Sequence, residues 1–108
     1  MTDVTGFGLG GHLIELLRQS GVTAQLSVAP LPAYPTIDVL AQAGIVSTLL
    51  IENKRVASQL TGTAGMPAAT LAVLFDPQTS GGLVAGVPAA NAAACREDLR
   101  RAGLHTSL

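Results

Sequence analysis

Charge is what this sequence has least of. Only 12% of its 108 residues are Asp, Glu, Lys or Arg, against 48% apolar, and that charged share is about half the globular norm. A chain of this length forms one small domain with a modest core. With so little polar cover, apolar surface is expected to be buried against a partner, and a homo-oligomer is expected. Six Lys and Arg against seven Asp and Glu leave a net charge of −1. There is no basic footprint for nucleic acid and no charge run that would make a tail. The single cysteine, Cys95, excludes an internal disulfide and a multi-cysteine metal site. Next to the alanine run Ala92–Ala94 it is expected to be a small buried helix residue. No basic-then-apolar leader opens the chain, and no run reaches the ~18 apolar residues of a membrane span. These absences point to a soluble, cytoplasmic protein. Neither a Ser–His–Asp pattern, a G-x-S-x-G elbow nor a Cys/His cluster is present.

What is present is alternation of element types. Leu9, Leu13, Leu16 and Leu17 share one helical face, so a helix is expected over 8–20, stopped by Gly21. Val22–Val28 alternates apolar and polar residues and reads as a strand. Pro30, Pro32 and Pro35 break regular pairing. Thr36 or Asp38 caps a short helix ending at Gly44, Glu52–Leu60 is a weaker helix, and Thr61–Pro67 is a loop. The apolar run Thr70–Phe75 reads as a buried strand, and Asp76–Gly82 as a turn-rich loop. Leu83–Val87 reads as the next strand. Pro88 stands at the start of a helix closed by Gly103, with Ala92, Cys95, Leu99 and Ala102 facing inward. Leu104–Leu108 reads as the beginning of one more strand, which suggests a truncated chain. Strands alternating with helices give an α+β or α/β class.

The chemistry-bearing stretch is MTDVTGFGLGGHL at the start. Asp3 offers a carboxylate to a hard cation such as Mg²⁺, which takes oxygen ligands and keeps company with phosphates. Thr5, Gly6 and Gly8 lie on a loop at a helix N-terminus, where backbone N–H groups can face an anion. The bland reading is a capped turn with a solvated Asp3. A lone G-x-G carries little weight, and no P-loop lysine accompanies it; Lys54 is the only lysine. His12, near Glu15, is expected to be a surface or satisfied histidine. His105 has no role. Asp38, Glu52 and Asp76 are scattered along the chain.

Two stretches together go further. Thr2–Leu13 and Leu74–Leu83, the latter reading LFDPQTSGGL, resemble the C-terminal half of the selenophosphate synthetases (selenide, water dikinases). Between them the order also matches: Pro32 and Pro35, then Ala43–Thr48, then Glu52–Asn53. Relatives around aminoimidazole ribonucleotide synthase share the D-x-x-G-x-G and S-G-G elements, whereas the pair DVTGFG plus DPQTSGG is specific to the selenium enzymes. The resemblance implies an α+β domain, with a mixed sheet covered by helices on one face. It implies that Asp3 is a Mg²⁺ ligand in an enzyme that makes selenophosphate, AMP and phosphate from selenide, ATP and water. It also implies an N-terminal ATP-binding half as partner, carrying the catalytic cysteine or selenocysteine and the lysine. Position 10 departs from the family pattern: Gly stands where Leu is usual, at a cost of about 1 kcal/mol in helix propensity.

Two other readings stay open. One is a different ATP-using member of the aminoimidazole ribonucleotide synthase-related superfamily, against which DPQTSGG argues. The other is a non-enzymatic dimerisation or folding module, which the low charge content keeps in view.

Overall fold

In a computed structural model of the chain, residues 1–29 and 31–105 are described. Strand β1 (Thr2–Asp3) leads into helix α1 (Gly8–Ser20). Then come α2 (Ile37–Gln42), α3 (Thr48–Asn53), a 3₁₀ turn over Lys54–Gln59 and α4 (Ala68–Phe75). The chain continues through β2 (Leu83–Val84) to α5 (Ala89–Arg101). The two strands pair antiparallel, Thr2 opposite Val84 and Asp3 opposite Leu83. The class is α+β, with a small sheet.

Helix α1 lies where its leucine spacing puts it. It stops in a Schellman arrangement: the Gly21 amide donates to Arg18 and the Val22 amide to Leu17. Helix α5 stops the same way, through Gly103 to Arg100 and Leu104 to Leu99. The core is small. Leu50, Ala72, Leu74 and Phe75 form its buried centre, with Leu9, Ile14, Val28 and Leu31 among the partly buried residues packed on it.

Several sequence expectations need correction. Thr70–Phe75 is not a strand but the body of α4. The run is apolar all round, which suits a helix enclosed by neighbours as well as a strand enclosed by sheets. Alanines at 68, 69 and 72 favour the helix and let it pack closely on α1 and α2. Val22–Val28 forms no strand and has no strand partner among the described residues; of its apolar residues only Val28 packs on the core, while Val22 and Leu26 are exposed. The expected strand at Leu83–Val87 is limited to two residues.

The helical stretch around Glu52 begins earlier than expected, at Thr48, because the Ser47 hydroxyl accepts the Leu49 amide at 3.3 Å. It tightens to 3₁₀ geometry after Asn53. Thr36 takes the N-cap position of α2 without a side-chain cap bond. Pro88 is the N-cap rather than the first residue of α5, and α5 buries none of its residues. Ala92, Cys95 and Leu99 are half-buried and Ala102 is exposed, so Cys95 is not the enclosed residue expected. No strand is assigned at Leu104–His105; the rest of that expected strand, and Pro30, lie outside the described residues.

Candidate functional site

The two loops that carry the motifs meet. They are far apart in sequence, yet β1 and β2 tie their bases together, and the ladder continues with the Val4 amide donating to the Gly82 carbonyl at 2.9 Å. One turn further, the Thr5 carbonyl accepts two amides at 3.0 Å each, from Gly8 within its own loop and from Gln78 in the other. Gly81 passes against the Val4 carbonyl so closely that a Cβ there would overlap it. Gly8 has φ +69°, and a Cβ on it would come within 2.7 Å of the Phe75 carbonyl carbon. Both positions therefore demand glycine for steric reasons.

Asp3 sits at the end of β1 with an exposed side chain. Among the described residues it makes no ion pair, and no set of three His, Cys, Asp or Glu side chains comes together that could hold a metal. Its carboxylate is thus available as one ligand of a hard cation, and the donor set fits a shared site better than a self-sufficient one.

Thr5 is partly spoken for. Its hydroxyl pairs with His12 Nε2 at 3.1 Å, which satisfies that histidine as expected. The His12 ring also leans on Phe7, with centroids 5.5 Å apart. The Gly8 amide is used internally, whereas the amides of Gly6 and Phe7 make no backbone hydrogen bond among the described residues. Those two N–H groups, on an exposed turn at the mouth of α1, are among the donors the loop has to offer an anion.

Asp76 opens the second loop and is half-buried, and burial raises its carboxyl pKa. Its backbone carbonyl accepts Gln78 Nε2 at 3.2 Å. Lys54, the only lysine, lies in the 3₁₀ turn.

Residue reasoning on its own gave no role to Asn53. Its Nδ2 donates to the Gly6 carbonyl at 2.8 Å and to the Phe75 carbonyl at 3.0 Å. The signal was a polar residue closing an apolar helix; nothing local says which loops it reaches.

A fold of this kind, with a glycine-lined β1–α1 loop laid against a second glycine-rich loop, defines a class. The chain matches the family described as "AIR synthase related protein, C-terminal domain" over residues 1–107, and it belongs to that family. Its similarity to proteins named selenide, water dikinase is more particular. Selenide, water dikinase 2 of Peptoclostridium acidaminophilum is 35% identical over 103 residues, covering 95% of this chain and 30% of that protein. The Paraburkholderia xenovorans protein is 45% identical over 85 residues, 78% of this chain and 24% of the relative. The Myxococcus xanthus protein is 36% identical over 109 residues, 100% of this chain and 31% of the relative. The chain thus spans less than a third of the length of these relatives.

Proposed function

We propose that this chain acts as the C-terminal domain of a selenophosphate synthetase, completing an ATP site built mainly by an N-terminal half. The observation that carries the reading is the meeting of the DVTGFG and DPQTSGG loops, locked by the shared Thr5 carbonyl and by glycines that no other residue can replace. The names of its relatives give the chemistry: a kinase acting on selenide and water.

In this reading Asp3 is a Mg²⁺ ligand, and the Thr5–Gly8 loop, through Gly6 and Phe7 N–H, faces phosphate oxygens. Mg²⁺, when bound, neutralises phosphate charge and orients the transferred group. The chain's own contribution is placement. β1–β2 pairing fixes Asp3, the Thr5–His12 bond holds the loop on α1, and Gly8 lets the loop close down on α4. A wider mixed sheet, with the helices on one face, belongs to the same proposal; the apolar–polar alternation of Val22–Val28 supports it. A cytoplasmic setting, where ATP is available, goes with it.

Phosphoryl transfer needs several charges converging on the phosphates, and at the β1–α1 loop this chain contributes the Asp3 carboxylate. Alone it is expected to be inactive. The test is to replace the matching segment of the Myxococcus xanthus relative by this chain and to measure selenide-dependent AMP formation. Activity in the chimera and none in the isolated chain is the expected pair of results. ATP turnover by the isolated chain, or a folded chimera with no activity, would overturn the reading.

A further inference from the structure

We propose that Asn53 is a positioning residue, a clasp that sets the Thr5–Gly8 loop against the end of α4 and so aims the free amides of Gly6 and Phe7; the inference rests on the phosphate-facing role proposed above. One primary amide carries two hydrogens, and here each has its own carbonyl: Gly6 at 2.8 Å and Phe75 at 3.0 Å. Both partners are acceptors, so the nitrogen, not the oxygen, must face them. The Phe75 carbonyl belongs to the last turn of α4, whose final carbonyls have no partner within the helix. The Gly6 carbonyl has no backbone partner among the described residues. Asn53 therefore satisfies two orphan acceptors at once, from two segments that approach each other through Gly8.

The clasp itself is held firmly. Asn53 ends α3, whose Leu50 is buried in the core and whose start is capped by Ser47. Its bond to the Phe75 carbonyl is part-buried, where water competes less well, whereas its bond to Gly6 lies at the surface. A carbonyl and the amide that follows it share one rigid peptide plane. Fixing the Gly6 carbonyl therefore fixes the direction of the Phe7 N–H, one of the loop's free donors.

The experiment compares Asn53→Ala with the isosteric Asn53→Asp, reading hydrogen exchange amide by amide in this chain. The bonded amides of Val4, Gly8 and Gln78 report the two loops; amides in the middle of α1 report the core. The expected result is exchange at least tenfold faster at the loop amides relative to α1. Asn53→Asp should be the worse variant, because it turns an acceptor toward two acceptors. An asparagine that only fills space would give the reverse order, with Asp harmless, and that result overturns the clasp.

In the chimera described above, Asn53→Ala should raise the KM for ATP at least fivefold with a smaller change in kcat. If Asp3→Asn impairs the chimera while Asn53→Ala does not, the positioning role falls and the functional reading stands. If the loop amides respond as expected but neither substitution affects ATP kinetics, the functional reading falls and takes the phosphate-aiming role with it.

Discussion

Gly10 is a residue whose meaning changes when its surroundings are known. In the sequence it is a propensity loss of about 1 kcal/mol in the first turn of α1. In the structure a Cβ at that position would lie 2.6 Å from Cε1 of Phe75, and Phe75 is 0% exposed, so its ring has nowhere to go. Overpacking of this sort costs roughly 1–3 kcal/mol, which outweighs the helix propensity that alanine would restore. Gly10→Ala should therefore lower stability in thermal or urea unfolding. Adding Phe75→Leu to it should recover part of the loss; simple stabilisation by Gly10→Ala would show that the ring can yield.

Asp76 makes a second residue-scale prediction. Burial raises its pKa above the ordinary 3.8, so the folded chain holds this proton more tightly than the unfolded chain does. Its contribution to stability is complete below about pH 4 and is lost as pH rises through the folded-state value. Asp76→Asn should thus gain stability relative to the parent as pH rises from about 4 upward, in unfolding curves taken across that range. A constant difference between the two proteins would contradict it. Glu97 has the opposite sign: hydrogen bonds from Arg100 and Arg101 lower its pKa. That group is solvent-exposed, and its pairs are screened.

At the scale of elements, legibility followed periodicity. Helices α1 and α5 were readable because a stripe of apolar residues repeats at helical spacing and glycine closes each. The run at 70–75 was misread because burial on all sides erases the stripe, leaving short apolar runs ambiguous. Val22–Val28 shows the converse failure: alternation states which side of a strand would be buried, but not whether a neighbouring strand exists to pair with. Of the site, Asp3 and the glycine loop were legible as types and spacing. Their docking on Asp76–Gly82 through the Thr5 carbonyl, and the Asn53 bridge, are long-range contacts that no local pattern encodes. One prediction belongs here. Gly81→Ala should disrupt the β1–β2 base, since a Cβ would collide with the Val4 carbonyl, a backbone atom that cannot step aside. The expected loss is roughly 1–3 kcal/mol, with faster exchange at the Val4 amide. An unchanged Val4 amide would show that the two loops are not held together at that point.

For the whole molecule the informative quantity is surface. The chain exposes 7709 Å², where a compact monomer of its mass exposes about 5,600 Å². The excess is larger than the ~800 Å² that each partner buries in a standard interface. Much of it is apolar: Tyr34, Val39, Ile45, Leu49 and Ile51 are each more than half exposed. The low charge content pointed the same way. The isolated chain should self-associate, seen as a mass in light scattering that rises with concentration; a fixed monomer mass at high concentration would count against it. In the proposed enzyme the same surface is expected to be covered by the N-terminal half.

The most direct test of the central claim, that the β1–α1 loop is the phosphate side of a shared ATP site, is Asp3→Asn in the chimera with the Myxococcus xanthus relative. The exchange removes one charge from an exposed carboxylate with no ion pair among the described residues, so the thermal midpoint should stay within a degree or two, as is usual for surface substitutions. Selenide-dependent AMP formation should fall on the order of a hundredfold, the scale of losing one charge-stabilising group in an active site. Higher Mg²⁺ should restore part of it. A chimera carrying Asp3→Asn that turns over ATP as fast as its parent would contradict the account.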